Sequence, residues 1–243
     1  MRLLRSTLML LYRIWFYVLV VLAILLLFPA LLIGISRESW YPFFYRVARL
    51  WSRIILYGMG FRPVVKKGYK LKYENSYMLV ANHTSMTDIM MMLHLSKTPF
   101  VFVGKRELAR LPVFGYFYRR TCILVDRGNA RSRHQVFVES RKRLEKGLSI
   151  CIFPEGGVPD DFEIVLDEFK DGAFRLAIEH KIPVVPVVLY DNKQRFPFRF
   201  DKGGPGIMRA LVHSSIPTDQ MKVEQKRTLK DEVRKIILDE LLK

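Results

Sequence analysis

The chain is poor in cysteine, and it contains no internal repeat and no low-complexity segment. Its two cysteines, Cys122 and Cys151, have no Cys or His neighbour at metal-ligand spacing, which argues against a metal site or a redox pair. Each lies inside a strand-like apolar run, and this placement predicts buried structural thiols. At 243 residues the chain is long enough for one sizeable core with an appendage. We expect neither a metal nor a cofactor.

Acidic residues are also scarce, because 23 Asp and Glu stand against 40 Lys and Arg and give a net charge of +17. Such a balance predicts an anionic partner: nucleic acid, a lipid headgroup surface or a phosphorylated substrate. No recognised nucleic-acid-binding module appears, and nucleic acid would not explain the apolar N-terminus. We therefore expect membrane lipids as a partner and no nucleic acid.

Charges are absent from one long N-terminal stretch. From Ile14 to Ile35, 22 consecutive residues are uncharged and mostly apolar. As a helix this run would be about 33 Å long, against a hydrocarbon core of about 30 Å. No A-x-A-like cleavage site follows, so the run fits a signal peptide poorly. Arg2, Arg5 and Arg13 precede the run and predict a cytoplasmic N-terminus.

A second helix should follow, because residues 43–54 carry an apolar stripe bordered by arginines. Such a helix either lies in the membrane interface, with its guanidinium groups reaching lipid phosphates, or packs on the globular domain. Residues 1–60 are therefore predicted to form a membrane-anchoring helical hairpin, and residues 61–243 an α/β domain. The stripe comprises Phe43, Val47, Leu50 and Ile54, and the arginines are Arg46, Arg49 and Arg53.

The path of the first helix stays open. A single crossing would place the α/β domain on the side opposite the N-terminus. A helix that dips into the bilayer, bends at Pro29 and returns would keep the domain in the cytoplasm. We expect the protein at the inner (cytoplasmic) membrane, with its functional site on the cytoplasmic side.

After residue 60, short apolar strands alternate with helix-like segments. The alternation predicts an α/β fold with a mostly parallel mixed sheet flanked by helices. Polar residues directly follow three strands, at positions 83, 126–127 and 155–157. Because ligand groups gather at the carboxyl ends of parallel strands, these segments should meet at one edge. The predicted strands are 78–81, 100–103, 122–125, 150–153, 184–189 and 208–213, and the predicted helices are 88–95, 131–146, 172–180 and 223–241.

The spacing of His83 and Asp88 carries a structural demand. On a regular helix, residues five apart point about 140° apart, so these two can meet only if the helix begins between them. Thr84, Ser85 and Thr87 are suitable residues for such a start. In one interpretation His83 is a base that Asp88 orients. In the other, the histidine is satisfied at a turn and the aspartate lies near a helix N-terminus.

Five motifs in a fixed order resemble those of the glycerolipid acyltransferase family, over about residues 60–215. The resemblance is strongest to the bacterial 1-acyl-sn-glycerol-3-phosphate (lysophosphatidate) acyltransferases. It implies that His83 is a general base, that Asp88 orients it, and that a lysophospholipid hydroxyl attacks the thioester of acyl-CoA or acyl-carrier protein. The motifs are N-H-x4-D at 82–88, K-R-E-L and a later G at 105–115, V-D-R at 125–127, F-P-E-G at 153–156 and I-P-V-V-P at 182–186.

The chemistry of these residue types agrees with the resemblance. A hydroxyl is a weak nucleophile near neutrality, and an imidazole can remove its proton during attack. A carboxylate such as Asp88 would fix the tautomer and stabilise the imidazolium that forms. Since the substrate supplies the nucleophile, no catalytic Ser or Cys is required, and Ser85 lacks the G-x-S-x-G setting of an acyl-enzyme nucleophile. Asn82 and Ser85 are predicted to bind substrate.

Two cations are the best candidates for binding a phosphate. Arg127 presents a planar donor fork to phosphate oxygens, whereas Lys105 acts as a point charge. Asp126 is assigned to the same substrate-binding group. In the alternative, both cations are solvated surface residues or partners of Asp126.

The F-P-E-G motif at 153–156 contains a departure from the family pattern. By resemblance, Glu155, Gly156 and Gly157 would help to bind the acceptor, because glycines let backbone N–H groups approach an anion; the alternative is a plain tight turn. The family usually reads E-G-T-R-S here, whereas this chain continues with Val and Pro, so the phosphate-gripping arginine is missing. Residues 155–168 hold six acids and no Lys or Arg, which disfavours a phosphate monoester. Arg127, Arg131, Arg133 or Lys170 can compensate.

These observations predict a membrane-anchored O-acyltransferase of phospholipid biosynthesis. It would convert 1-acyl-glycerol-3-phosphate to phosphatidate, using acyl-CoA or acyl-carrier protein as the acyl-donor substrate. An alternative is acylation of another lyso-lipid, such as a lyso-aminolipid or lysophosphatidylglycerol. A non-catalytic protein that binds anionic membranes is the alternative from another class.

Overall fold

The computed structural model describes residues 2–126, 128 and 130–243, so the predicted phosphate ligand Arg127 lies outside the described residues. Over the described part, the chain forms eight α-helices and seven strands. It divides into two compact units. The first consists of Met1–Lys66, His83–Lys97 and Leu189–Leu211, and the second of Lys67–Asn82, Thr98–Val188 and Val212–Lys243.

The first unit begins with a helical hairpin, as the sequence predicts. Helix α1 is Arg2–Ser36 and helix α2 is Tyr41–Gly58. A Cβ added at Gly34 would lie 2.7 Å from the Cα of Phe44, so only glycine allows this close approach. Near the other end of the pair, the Tyr12 hydroxyl donates to the Met59 carbonyl over 2.9 Å. The two helices therefore run antiparallel, and α2 returns to the N-terminal end of α1.

The turn of this hairpin lies at residues 37–40, which include a short 3-10 helix, Glu38–Trp40. Of the two open paths for the first helix, a return that bends at Pro29 is not found, because α1 continues through Pro29 to Ser36. A proline inside a helix removes one backbone donor, but neighbouring groups in an apolar helix can accommodate that loss. The chain therefore reverses its direction only after the apolar run has ended.

Helix α1 is the one helix of the described chain that is long and apolar enough to cross a membrane, by length and composition. The candidate span is Leu4–Ser36, and its most apolar window has a mean hydropathy of 3.2 with only 22% of that window buried. Large apolar side chains face outward along it, with Leu26 74% exposed. This exposure fits membrane association and would be costly in water.

Helix α2 buries a different face from the predicted stripe. Val47 is buried, but Phe43 and Leu50 are exposed. Arg49 points to helix α3, where its guanidinium donates to the carbonyls of Leu93 and His94 over 3.0 and 3.2 Å. Helix α2 packs against both α1 and α3 and so buries its other face, and the predicted contact of the stripe with the membrane interface stays a prediction. Its buried residues are Tyr41, Phe44, Tyr45, Val47, Trp51, Ser52, Ile55 and Leu56.

The strands form a seven-stranded sheet in the order β1-β7-β6-β2-β5-β3-β4. The strands β6, β2, β5, β3 and β4 pair in parallel, with Leu79 of β2 opposite Val185 of β6 and Cys151 of β5. The α/β fold with a mostly parallel mixed sheet is therefore confirmed. The strands are β1 Phe61–Lys67, β2 Met78–Ala81, β3 Phe100–Lys105, β4 Ile123–Val125, β5 Ser149–Ile152, β6 Val184–Leu189 and β7 Gly206–Val212.

Strand β7 supplies the antiparallel element of the sheet. The backbone N–H of Tyr190 donates to the Arg209 carbonyl over 3.1 Å, and that of His213 donates to the Pro186 carbonyl over 2.9 Å. As one residue number rises the other falls, which is the antiparallel pattern. Beyond α1 and α2 the helices are α3 Asp88–Leu95, α4 Phe114–Thr121, α5 Ala130–Leu144, α6 Gly172–Glu179, α7 Asn192–Arg195 and α8 Lys226–Leu241.

Cys151 lies on β5, as predicted, whereas Cys122 lies one residue before β4 begins at Ile123. Cys151 on β5 is fully buried, and burial raises the pKa of its thiol well above the ordinary value. Burial likewise raises the pKa of Cys122 to about 12. Both thiols therefore stay protonated near neutral pH, which makes them structural rather than reactive.

Candidate active site

His83 and Asp88 meet in the first unit. Strand β2 ends at Ala81, α3 begins at Asp88, and the residues between them are irregular. The Nδ1 of His83 lies 2.8 Å from the Oδ2 of Asp88. The predicted contact and the predicted helix start between the two residues are therefore both present. A neutral imidazole whose Nδ1–H donates to a carboxylate carries its basic lone pair on Nε2.

Asp88 accepts hydrogen bonds at both carboxylate oxygens. Besides the imidazole, Oδ2 accepts the backbone N–H groups of Thr84 over 2.7 Å and Ser85 over 2.8 Å. The amide of Asn192 donates to Oδ1 over 2.6 Å. Asp88 is fully buried, and a buried carboxylate stays charged only with such compensation. The carboxylate is thus held in one orientation toward His83.

Ser85 has a structural place in the turn between β2 and α3. It is fully buried, and its hydroxyl donates to the Phe196 carbonyl over 2.5 Å. Its oxygen also accepts the backbone N–H of Thr87 over 3.1 Å. These bonds stabilise the turn in which the Thr84 and Ser85 N–H groups donate to Asp88. The predicted contact between Ser85 and substrate stays a prediction.

Sequence reasoning missed Asn192. It is fully buried on the short helix α7, immediately after β6, and it reaches Asp88 from 104 positions along the chain. A signal was present, because Asp191 and Asn192 are polar residues that follow a wholly apolar strand. The rule that drew attention to positions 83, 126–127 and 155–157 therefore applied here as well.

Asp191 anchors the turn that carries Asn192. The guanidinium of Arg209 donates to both of its carboxylate oxygens, over 2.7 and 2.8 Å, and the Arg209 backbone N–H adds a third bond of 2.7 Å. Burial by itself would raise the pKa of Asp191, but the bonds from Arg209 outweigh it and lower that pKa below its ordinary value. The pair therefore fixes the start of α7, next to the residue that contacts Asp88.

In the second unit, four predicted substrate-binding residues follow parallel strands at the same edge of the sheet. Asn82 follows β2, Lys105 ends β3, Asp126 follows β4 and Glu155 comes three residues after β5. Parallel pairing of these strands brings their carboxyl ends to one side. These four residues therefore follow strands whose carboxyl ends lie on one side, whereas the predicted convergence of positions 83, 126–127 and 155–157 stays a prediction.

Asp126 forms a local turn at this edge. Its backbone N–H donates to the Ser132 hydroxyl over 2.8 Å, and its Oδ1 accepts the Gly128 N–H over 3.1 Å. Lys105 is exposed, whereas Asn82 is buried. Asp126 thus shapes its own loop, and Lys105 is a cation exposed at the carboxyl end of β3.

The loop after β5 brings together Glu155, Gly156 and Lys170. Gly156 has a positive φ of 84°, and a Cβ there would lie 2.5 Å from the Lys170 Nζ. The Lys170 backbone N–H donates to the Pro154 carbonyl over 3.0 Å, and the buried Glu155 accepts the Asp167 N–H over 3.0 Å. A Cβ at Gly157 would meet nothing within 4 Å. An ammonium group therefore lies beside the loop from which the family arginine is missing.

No group of three or more His, Cys, Asp or Glu side chains is placed to hold a metal ion among the residues that the structure describes. The chemistry available at the site is acid–base chemistry. A buried carboxylate orients an imidazole, and the nearby Ser85 hydroxyl donates to the Phe196 carbonyl.

Comparison with known proteins gives one family and several relatives. The model of the Acyltransferase family matches residues 62–190. The putative 1-acyl-sn-glycerol-3-phosphate acyltransferase acl-2 of Caenorhabditis elegans is 31% identical over 179 residues, or 70% of this chain. The 1-acyl-sn-glycerol-3-phosphate acyltransferase alpha of Ovis aries is 27% identical over 195 residues, or 79% of this chain. The chain spans about two thirds or less of these relatives, 61% of the nematode protein and 67% of the sheep protein.

A solved structure has the same fold. The crystal structure of the 1-acyl-sn-glycerophosphate (LPA) acyltransferase, PlsC, from Thermotoga maritima is similar with a TM-score of 0.79 at 21% sequence identity. The similarity covers 99% of this chain and 96% of that one. The N-terminal helices and the sheet are therefore matched along nearly the whole length.

Proposed function

Since the chain belongs to the Acyltransferase family, we propose that it transfers a fatty acyl group from a thioester to the free hydroxyl of a lysophospholipid. The acceptor we propose is 1-acyl-glycerol-3-phosphate, which gives phosphatidate. The observation that carries the proposal is the 2.8 Å contact between His83 Nδ1 and a fully buried Asp88 carboxylate.

The reaction follows from the orientation of the imidazole. The acceptor oxygen attacks the thioester carbonyl carbon while Nε2 of His83 takes the hydroxyl proton. The negative charge of Asp88 stabilises the imidazolium that forms. When the tetrahedral intermediate collapses, the C–S bond breaks and the imidazolium returns its proton to the leaving thiolate. The ester and a free thiol are the products, and no acyl-enzyme forms.

Three observations support a phosphate-bearing acceptor. The nematode and sheep relatives are named for 1-acyl-sn-glycerol-3-phosphate. The Lys170 ammonium lies beside Gly156 in the loop after β5, and Lys105 is exposed at the end of β3.

The acidic stretch 155–168 favours the second candidate acceptor, a zwitterionic or amino-bearing lyso-lipid.

We place the chain at the inner membrane with its site on the cytoplasmic side. The antiparallel hairpin supports this orientation, because α2 returns to the end of α1 from which the chain starts. Arginines precede the apolar run at that end, and such charges favour the cytoplasm.

An acceptor panel tests the proposal. The full-length protein in lipid vesicles is given acyl-CoA or acyl-carrier protein together with lysophosphatidate, lysophosphatidylglycerol or lysophosphatidylethanolamine. We expect lysophosphatidate to have the highest kcat/KM, by about tenfold or more. Preference for a headgroup without a terminal phosphate would contradict the acceptor assignment. Acyl transfer to none of them would favour a non-catalytic membrane-binding protein.

A further inference from the structure

An aromatic loop, defined as residues 196–202, connects α7 with β7 in the first unit. It has three phenylalanines in five positions. Phe196 is buried, but Phe198 is 55% exposed and Phe200 is 72% exposed. Phe200 is thus about as exposed as Leu26 of the candidate membrane helix, at 74%. Two phenylalanines with this exposure, separated by a single residue, are typical of a contact surface rather than of a water-facing loop.

Arg13 of α1 holds the aromatic loop in place. Its guanidinium donates to the carbonyls of Arg199 and Lys202, the latter over 3.0 Å, and lies 4.2 Å from the centre of the Phe196 ring. Arg13 is only 7% exposed. The ring of Phe196 also lies 4.4 Å from that of Phe16. The base of the loop is therefore packed on the first helix.

The position of Arg13 on α1 determines where the aromatic loop lies relative to the membrane surface. It is the last charged residue before the uncharged run that starts at Ile14. When the run occupies the hydrocarbon core, Arg13 lies where the headgroups begin. The carbonyls of Arg199 and Lys202 are bonded to Arg13, so the loop lies at that boundary too.

The loop and its flanks have the chemistry of an anionic lipid surface. Basic residues outnumber acidic ones over 193–202 by four to one, although Arg199 is partly neutralised by Asp201, at 2.9 Å. Aromatic side chains favour the headgroup region, and neighbouring Lys and Arg favour anionic lipids. We propose that Phe198 and Phe200 insert into the headgroup region of an anionic membrane, as a second membrane contact beside α1.

The same segment is connected to the catalytic pair. Ser85 donates to the Phe196 carbonyl at the start of the aromatic loop, and Asn192, on the helix α7 that precedes the loop, donates to Asp88. A loop docked at the lipid surface would therefore hold His83 close to the boundary where a membrane-embedded acceptor presents its hydroxyl. This consequence rests on the proposed function, whereas lipid insertion itself does not.

A fluorescence experiment tests insertion directly. Phe200→Cys in the full-length protein is labelled with an environment-sensitive fluorophore and reconstituted into phosphatidylcholine vesicles with or without phosphatidylglycerol. Leu242→Cys, at a site 66% exposed near the C-terminus, is the matched control, and unsubstituted protein is the blank. We expect acyl-chain nitroxide quenchers to reduce emission at position 200 at least about threefold more than at 242, most strongly with phosphatidylglycerol. Equal, weak quenching at both positions would overturn the proposal.

A kinetic experiment provides a second readout without a label. Phe198→Ser/Phe200→Ser is expected to raise KM for vesicle-embedded acceptor several-fold and to leave kinetics with a monomeric short-chain acceptor unchanged. Ile207→Ser, at an exposed apolar site on β7, should change neither. Unchanged KM for the embedded acceptor in the double variant would contradict the proposal. Absence of activity in the wild type would contradict the proposed function, and the fluorescence result would still decide on the loop.

Discussion

The loops that follow β2 and β5 differ in how their polar groups are paired. After β2, the Asp88 carboxylate accepts two backbone N–H groups, an imidazole and an amide, all from the chain itself. After β5, a lysine ammonium lies beside Gly156, and space is open next to Gly157. The carboxylate after β2 is hydrogen-bonded by the chain alone, whereas the loop after β5 leaves space for a ligand. The proposed function therefore assigns the proton transfer to the loop after β2 and recognition of the acceptor to the loop after β5.

The largest effect should come from Asp88→Asn. An amide has a single acceptor oxygen, so it cannot satisfy the donors of Thr84, Ser85 and Asn192 and also accept from His83. We expect kcat to fall by at least about 10²-fold in vesicle assays. Circular dichroism should show that the fold is retained. Activity within about tenfold of the wild type would show that the carboxylate is not needed to orient the histidine.

A smaller effect is expected at Asn192, because Asp88 keeps its other three donors. Asn192→Ala should lower kcat about tenfold with KM unchanged, since one hydrogen bond to a charged group is lost away from the substrate. Gln194→Ala, at an exposed position on the same helix, is the control. A rise in KM with kcat unchanged would mean that Asn192 acts on substrate binding instead.

The role of Lys170 in acceptor binding can be tested by a substitution at Gly156, beside its ammonium group. Gly156→Ala places a Cβ 2.5 Å from Lys170 Nζ at a positive φ, so it should displace the ammonium and cost about 1 kcal/mol of stability. KM for a phosphate-bearing acceptor should rise several-fold, while KM for a zwitterionic one stays the same. Gly147→Ala, in another turn, is the matched control, because Gly147 also has a positive φ and a Cβ there would meet nothing within 4 Å. Equal kinetics for both variants would remove Lys170 from acceptor binding.

The smallest effect concerns stability. The pKa of Asp191 is lowered by Arg209 against the opposing effect of burial, so the pair stabilises the fold above the ordinary carboxyl pKa. That contribution is lost as pH falls through the lowered value. Asp191→Asn should therefore cost about 1 kcal/mol at neutral pH, since Arg209 is largely exposed, and the difference from the wild type should vanish in acid.

Thermal unfolding in detergent across pH measures this difference. Asp201→Asn, which breaks an exposed pair with Arg199, is the control and should not change the unfolding temperature. A deficit of Asp191→Asn that persisted unchanged into acid would show that the effect does not come from the charge of Asp191.

The sequence predicted much of the fold because its signals are local. Apolar runs set the strands, and the demand that His83 meet Asp88 located the start of α3. Asn192 was missed although it follows an apolar strand, because nothing in the sequence indicates its contact with Asp88, 104 positions away. The role of Arg49 was missed for a similar reason. A helical projection of α2 does not show that the carbonyls of Leu93 and His94 on α3 lie within hydrogen-bonding distance of Arg49.

The central claim is that His83 is the general base for the acceptor hydroxyl. The most direct measurement is thiol release from the acyl donor in the presence of lysophosphatidate, comparing His83→Ala with the wild type in the same vesicles. The account predicts a loss of about 10²–10⁴-fold with the fold and the vesicle association retained. A variant that keeps more than about a tenth of wild-type turnover would contradict it.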